Sequence, residues 1–138
     1  MPSLIPQLVV DDARGYLEFL GKALGGETLH VMPGPDGKSV MHAAVRLQDA
    51  RVFVSDASEF AKKTTANVFL YVSDVDAAYE RATAAGAQPV APVSDMFWGD
   101  RWGMVADPSG NLWQLATHVE DVTPEQLAER MRAANPGG

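Results

Sequence analysis

The chain has 138 residues, 46% of them hydrophobic and 21% charged, a composition typical of one globular domain with a core of ordinary size. Its formal charge of −7 disfavours a nucleic-acid partner, whose phosphates would be repelled. The sequence contains no cysteine, which excludes disulfides and thiolate metal ligands, and no apolar run is long enough for a membrane helix. We therefore expect a cytoplasmic protein with neither a nucleic-acid nor a membrane partner.

The first half of the chain predicts one helix among four strands. Asp12 is expected to cap the helix, whose leucines recur at three- and four-residue spacing and form one apolar stripe. Gln48 and Asp49 separate the last two strands at the spacing of a hairpin turn. Residues 58–64 predict either a short helix or a linker. In chain order, the predicted elements are strand 4–10, helix 13–24, strand 27–32, strand 39–47 and strand 50–56.

The second half predicts the same order of elements. Asp74 stands near the start of its helix, and the segment 92–100 is predicted to be a long loop. In chain order, the predicted elements are strand 67–72, helix 74–85, strand 88–91, strand 101–106 and strand 111–117. A last helix is expected from the capping sequence at Thr123 to about Arg132, and residues 135–138 are expected to fray.

An internal duplication accounts for this repetition. The segment from Leu8 to Asp12 opens the first helix, and the similar segment from Leu70 to Asp74 opens the second, 62 residues later. Self-similarity at a fixed spacing indicates a duplicated structural unit. We therefore predict one α+β domain built from two tandem βαβββ modules. Its parts are a first module over 1–64, a second over 65–118, and a C-terminal helix and tail over 119–138, all within the single domain 1–138.

The duplicated unit resembles the vicinal oxygen chelate superfamily, which includes glyoxalase I, the extradiol dioxygenases and the bleomycin resistance proteins. The most specific stretches run from Asp95 to Gly103 and from Asp107 to Leu115, and the resemblance covers nearly the whole chain. It is closest to the branch that contains glyoxalase-like and bleomycin resistance proteins. The resemblance implies that the modules form a curved cleft, and that two chains combine their modules in a homodimer.

In the metal-using members of that superfamily, each module contributes two ligands to an ion in the cleft. The resemblance places the four positions at Ile5, Val54, Asn67 and Gln114, where Val54 follows from a hairpin spacing of 60 residues. Two of these side chains are apolar, and two are neutral amides that lack the charge or imidazole nitrogen of zinc, iron and nickel sites. We therefore expect a metal-free branch of the superfamily, with no metal, no cofactor and no catalytic residue.

The other cleft positions predict an apolar, aromatic pocket with a few amides. Strand alternation turns side chains two residues apart to the same side, and the second hairpin pairs Met104 with Gln114 and Trp102 with Ala116. Pockets of this kind bind flat organic molecules by stacking. The predicted ligand-binding residues are Gln7, Val54, Asn67, Phe69, Tyr71, Phe97, Trp98, Trp102, Met104 and Gln114. It stays open whether Trp98 and Trp102 line the cleft or the dimer interface.

Three residues near this pocket are assigned other roles. His42 is expected to face away from the cleft, because the turn at Gln48 and Asp49 puts it on the side opposite Val54. The predicted loop 92–100 lies at the rim of the pocket, and we call it the rim loop. Asp100 and Arg101 are expected to hold this loop by ion pairing rather than to act in catalysis.

Three functions fit these observations. The first is metal-independent binding of a small aromatic ligand, an antibiotic among the candidates, as the resemblance to bleomycin resistance proteins implies. The alternative is an enzyme, a glyoxalase-like lyase, isomerase or dioxygenase with non-standard metal or acid–base residues. The third is a dimeric scaffold whose cleft is closed by its own side chains. The apolar cleft and the acidic charge favour the binding protein, and the question of enzymatic activity stays open.

Overall fold

The computed structural model describes residues 2–134 of the chain. None of the helices in this part is long and apolar enough to cross a membrane. In chain order, the elements are β1 (Gln7–Val10), α1 (Ala13–Leu24), β2 (Glu27–Pro33), β3 (Val40–Leu47), β4 (Ala50–Asp56), β5 (Asn67–Tyr71), α2 (Val75–Ala84), β6 (Gln88–Asp95), β7 (Asp100–Ala106), β8 (Leu112–His118) and α3 (Pro124–Ala134).

The strands form two four-stranded sheets with the same topology. The first has the order β1-β4-β3-β2 and the second β5-β8-β7-β6. In each sheet the first strand runs parallel to the last, and the other neighbours are antiparallel. One helix connects the first and second strands of each unit. The predicted α+β fold of two βαβββ units followed by a C-terminal helix is therefore confirmed.

Aspartate side chains fix the starts of the first two helices. The Asp12 carboxylate accepts the backbone N–H of Gly15 (3.1 Å), and that of Asp74 accepts the N–H of Ala77 (3.2 Å). Each bond satisfies a donor that the first helical turn leaves without a partner. Gly25 caps the C-terminal end of α1, and its φ of 70° is a left-handed conformation that glycine adopts at low cost.

The two modules share one hydrophobic core. Val10, Tyr16 and Val54 of the first module lie in the same buried cluster as Trp113 and Leu115 of the second. Helices α1 and α2 pack against each other at this junction. Each sheet turns its other side away from the core, and we call these sides the first and second open faces. The first open face carries Gln7, His42, Phe53 and Ser55, and the second carries Asn67, Phe69, Tyr71, Trp102, Met104 and Gln114.

A buried carboxylate joins the modules at one point. Asp107, which is 5% exposed, accepts bonds from the Tyr16 hydroxyl (2.5 Å) and the Trp113 indole nitrogen (2.9 Å). It also accepts the backbone N–H groups of Ser109 and Asn111. Burial, followed by the charge of Asp107, raises the pKa of Tyr16, so this phenol remains a donor. The first helix is therefore tied directly to the second hairpin.

The largest differences from the predicted boundaries are in β1 and β6. β1 begins at Gln7 rather than at residue 4. The segment 57–66 contains no helix, which leaves the linker of the two predicted alternatives. β6 continues to Asp95, through residues predicted to be loop. Its prolines are accommodated because β6 is an edge strand, where a missing N–H costs no ladder bond, and its pairing with β7 is irregular there. The predicted fraying of residues 135–138 lies outside the described part of the chain.

Candidate functional site

The second open face is an aromatic surface with amides at its centre. Asn67, Phe69 and Tyr71 alternate along β5 on this side, and Phe69 and Tyr71 are 41% and 54% exposed. Their ring centroids lie 5.1 Å apart. β8 places Gln114 beside Phe69, and β7 places Met104 opposite Gln114. The predicted pairing of the second hairpin is therefore confirmed.

A chain of hydrogen bonds orients the amides of this face. The Trp102 indole N–H donates to Gln114 Oε1 (3.0 Å), and Gln114 Nε2 donates to Asn67 Oδ1 (2.8 Å). These bonds fix which end of each amide is the oxygen, because an indole nitrogen can only donate. Among residues 2–134, the Asn67 amide nitrogen makes no bond within the protein, so it offers a donor to a bound molecule.

Asp100 is the second organising group of the face. Its side chain is 2% exposed and accepts three bonds, from the Tyr71 hydroxyl (2.8 Å), the Trp98 indole N–H (2.9 Å) and His118 Nδ1 (3.0 Å). The other nitrogen of His118 lies 2.8 Å from a carboxylate oxygen of Asp121. A buried carboxylate is tolerated only with such partners, so Asp100 fixes the positions of the two aromatic side chains it binds.

The titratable groups of this cluster shift one another's pKa values. Burial raises the pKa of the Asp100 carboxyl, but the bonds from His118, Tyr71 and Trp98 together outweigh burial and hold the pKa below its usual value. The bond to Asp100, followed by that to Asp121, raises the pKa of His118 above the usual histidine value. The bond to Asp100 also raises the pKa of Tyr71. Asp100 is therefore an anion and Tyr71 a neutral donor at neutral pH.

Three aromatic rings form a wall at one end of the face. Phe97 meets Trp98 at a centroid distance of 5.1 Å, and Trp98 meets Trp102 at 6.0 Å, both nearly edge to face. Such contacts are favourable for the ring quadrupoles. α3 supports the wall, since Arg130 Nη1 donates to the carbonyl oxygen of Phe97 (3.2 Å). The three rings are therefore held by contacts within the protein.

Gly99 is required by the shape of this wall. Its φ is 102°, and a Cβ there would lie 2.2 Å from the carbonyl oxygen of Glu120. The backbone N–H groups of Val119 and Glu120 both donate to the Gly99 oxygen, at 2.9 and 3.0 Å. A larger residue would separate the rim loop from the segment after β8.

The predicted ion pairing of Arg101 is confirmed, and its partners are carboxylates other than that of its neighbour Asp100. Arg101 is bound to Asp76 at the start of α2 (2.8 Å) and to Asp95 at the end of β6 (3.2 Å). Adjacent residues on a strand point to opposite sides, so one lies on the open face and the other on the helix side. Arg101 therefore holds the rim loop through other carboxylates, and Asp100 belongs to the face itself.

The predicted inward orientation of Val54 is also wrong. Val54 is 0% exposed and lies in the core, while its neighbour Phe53 lies on the first open face. Gln7 pairs with Phe53 in the first sheet as Phe69 pairs with Gln114 in the second, so Phe53 is the equivalent of Gln114. The second hairpin has one more turn residue than the first, which makes the spacing 61 rather than 60 after the turn.

His42 lies on the first open face, not away from it. The His42 side chain points away from that of Val54, as predicted, but Val54 points into the core rather than into the cleft. The His42 ring lies 4.4 Å from that of Phe53 and 5.5 Å from that of His30. Because Val54 was assigned to the wrong side of the sheet, His42, whose side chain points the opposite way, was assigned to the wrong side as well.

The structure brings most of the predicted residues together, but not all of them. The predicted residues that lie on or beside the second open face are Asn67, Phe69, Tyr71, Phe97, Trp98, Trp102, Met104 and Gln114. Gln7 lies on the first open face, where it donates to the Ser55 hydroxyl (3.1 Å). Within residues 2–134 the backbones of the two sheets are not adjacent, since no strand of one sheet has a Cα within 8 Å of a Cα in a strand of the other. Sequence reasoning gave Asp100 no place on the face, although its two-residue spacing from Trp98 and Trp102 indicates the same side.

The residues present do not fit a divalent metal ion at the family position. The structurally equivalent set is Ile5, Phe53, Asn67 and Gln114, which contains no carboxylate and no imidazole. In the part of the chain that the structure describes, no three His, Cys, Asp or Glu side chains are grouped as metal ligands. A divalent ion there would lose water without gaining an anionic ligand.

Comparison with known proteins gives consistent matches. The family model of the Glyoxalase/Bleomycin resistance protein/Dioxygenase superfamily matches residues 5–115. An uncharacterized protein of Mycobacterium bovis is 37% identical over 147 aligned positions, which cover 99% of this chain and 96% of that protein. TioX from Micromonospora sp. ML1 is similar in structure, with a TM-score of 0.73, 30% identity and coverage of 86% of this chain and 100% of TioX. TnmS3, an antibiotic binding protein from Streptomyces sp. CB03234, shares the fold at a TM-score of 0.64 and 23% identity, over 85% and 97% of the two chains.

Proposed function

The chain belongs to the Glyoxalase/Bleomycin resistance protein/Dioxygenase superfamily, and we propose that it binds a small aromatic molecule, of the kind found among antibiotics, on its second open face without a metal ion. The observation that carries this proposal is the rigid wall of Phe97, Trp98 and Trp102 beside the oriented amides of Gln114 and Asn67. Aromatic surface supplies stacking and desolvation, and the amides supply direction.

Preorganisation supports a binding role. Trp98 and Trp102 are each held by an indole hydrogen bond, so little side-chain freedom is lost when a ligand stacks on them. The formal charge of −7 and the anionic Asp100 beneath the wall favour a ligand with positive charge. The shared fold with TnmS3, an antibiotic binding protein, supports the same ligand class.

We further propose that the protein acts in the cytoplasm as a homodimer in which the partner chain covers the face. Phe69 and Tyr71 are exposed in the single chain, and a flat surface alone excludes little water from a ligand. Light scattering after size exclusion tests this directly. A mass of two chains is expected, and a mass of one chain at micromolar concentration would contradict the dimer.

Tryptophan fluorescence tests the ligand proposal. We expect saturable quenching by at least one member of a panel that includes bleomycin and a DNA-intercalating peptide antibiotic, with and without a chelator. Trp102→Ala should weaken binding about tenfold, the scale of an aromatic contact. His42→Ala is the matched control because His42 occupies the equivalent position of the first module, and it should leave the affinity unchanged.

The other outcomes separate the alternatives. Quenching that appears only with added Zn²⁺, Ni²⁺ or Fe²⁺ would contradict metal-independent binding and favour the lyase, isomerase or dioxygenase alternative. Equal losses in Trp102→Ala and His42→Ala would move the site away from the second open face. No quenching by any member of the panel would favour the scaffold.

A further inference from the structure

A separate cavity of about 510 Å³ lies at one end of the first sheet. It is bounded by residues of the loop between β2 and β3 and by the segment 57–61 that follows β4. The hydrogen-bonded pair Gln7 and Ser55 also lines it. This volume lies in the range of small-molecule sites, and none of its lining residues belongs to the second open face.

The duplicated module shows why this space is open. In the second module the corresponding loop, 96–99, is joined to the segment after β8 by two backbone bonds to Gly99, and the chain closes the gap itself. In the first module the Ala57 N–H donates to the Val10 oxygen of β1, and the rest of the segment 57–61 bonds to itself, with Ser58 N–H donating to the Ala61 oxygen at 2.8 Å. The loop from Gly34 to Ser39 is likewise closed on itself, by a bond between these two residues of 2.9 Å. The two segments therefore leave a cavity between them.

The lining of the cavity is apolar with acidic groups. Met41 and Phe60 are exposed apolar residues at the cavity, and Phe60 is 96% exposed. The lining contains two carboxylates, Asp56 and Glu59, and neither lysine nor arginine. The Asp56 oxygens are occupied by the backbone N–H groups of Ala13 and Val40. Within residues 2–134, Glu59 has no salt-bridge partner, so its carboxylate is free to pair with a cation.

We propose that this cavity is a second binding site, for a small apolar molecule that carries a protonated amine. The amine pairs with Glu59, and the apolar body packs against Met41 and Phe60 as the segment 57–61 closes over it. The Phe60 ring gains a partner that it lacks in the free protein, which removes its apolar surface from water. This site is independent of ligand binding on the second open face.

An NMR titration with 4-cyclohexylbutylamine, whose ring is apolar but not aromatic, tests the proposal, with 4-cyclohexylbutan-1-ol and 4-cyclohexylbutanoate as probes of equal shape. The backbone amide signals of residues 57–61 and the Met41 methyl signal should shift, while the indole signals of Trp98 and Trp102 stay in place. The amine should bind about threefold to fivefold more tightly than the alcohol, the scale of one partly exposed ion pair. The carboxylate should bind most weakly.

Two variants locate the charge and the apolar contact. Glu59→Gln should remove the difference between amine and alcohol, and Phe60→Ala should weaken both about equally. Trp102→Ala is the control and should change neither. The proposal is overturned if the amine leaves the 57–61 signals unshifted, if it shifts the indole signals instead, or if Glu59→Gln keeps the preference for the amine. It is also overturned if these signals move with protein concentration alone, since a second copy of the chain then fills the cavity.

Discussion

The open faces of the two sheets hold different side chains at equivalent positions, although one duplicated unit built both. Trp102 of the second module stands where His42 stands in the first, and Gln114 stands where Phe53 stands. On the second face the indole donates to the amide, whereas on the first the imidazole packs against the phenyl ring at 4.4 Å. The backbone register decides which two side chains meet, and the residue types decide whether they leave a donor for a ligand.

The two hairpins differ by one residue, and that residue has a structural use. The first turn places Gln48 and Asp49 between the paired residues, and Gln48 adopts a φ of 57°. The second places residues 108–110 between Asp107 and Asn111, whose backbones are bonded at 2.9 Å. The wider turn lets the Asp107 carboxylate accept backbone N–H groups from its own loop while it also binds Tyr16.

Replacing Asp107 should show the largest difference in stability between the two hairpins. Asp107→Ala leaves four buried donors without an acceptor, and each such donor costs about 1–3 kcal/mol, so we expect a loss of at least about 4 kcal/mol in the free energy of unfolding. Urea unfolding followed by circular dichroism measures it. Asp49→Ala, in the exposed first turn, is the control and should stay within about 0.5 kcal/mol. Similar losses in both variants would show that the hairpins are not distinguished by this carboxylate.

The starts of β3 and β7 give the next contrast, since Val40 stands in the first strand where Asp100 stands in the second. Asp100→Asn keeps one oxygen acceptor but loses the charge, and we expect a destabilisation of about 2 kcal/mol, the scale of a hydrogen bond to a charged group. The Trp98 indole signal in a ¹H–¹⁵N spectrum should shift, because Asp100 accepts its proton.

Asp76→Asn is the matched control for that variant. It removes an exposed carboxylate that is also bonded to a cationic side chain, and it should cost less than about 1 kcal/mol. An unchanged Trp98 signal in Asp100→Asn would mean that the carboxylate does not position the wall.

The sequence was sufficient for the fold and for most of the second open face. The repeated segments Leu8 to Asp12 and Leu70 to Asp74 located both helices, and aspartate capping at both was correct. In β5 the exposed Asn67 alternates with residues that pack on the core, so the residue types themselves show which side chains lie on the open face. The turn after Asp107 then set the register of β8.

The first open face could not be assigned in the same way. β4 places Val52, Phe53 and Val54 in succession, and three apolar residues in a row carry no alternation from which a side can be chosen. The assignment then depended on the spacing between modules, which one extra turn residue changed. The cluster at Asp100 was missed in part for another reason. His118 lies opposite Asp100 in the same register that pairs Trp102 with Ala116, so the sequence could have placed it there. Tyr71 comes from β5, and only the pairing of β5 with β8 brings it to Asp100.

The histidines give the last and smallest contrast between the modules. His118 lies between the carboxylates of Asp100 and Asp121, whereas His42 contacts aromatic rings. Because the bonds to Asp100 and Asp121 raise the pKa of His118 in the folded state, the protonated ring contributes stability that is fully present below the ordinary histidine pKa of about 6.5. That contribution is lost as the pH rises through the elevated folded-state pKa.

We therefore expect the free energy of unfolding to fall as the pH rises from about 6 to 8, and the fall to be smaller in His118→Gln. His42→Gln is the matched variant that removes an imidazole from the first open face instead. Asp100→Asn should lower the pKa of His118 in an NMR titration of the imidazole protons, because the largest cause of the shift is removed. A wild-type slope in His118→Gln would show that the cluster at Asp100 does not respond to pH, and that its carboxylate is held by Tyr71 and Trp98 alone.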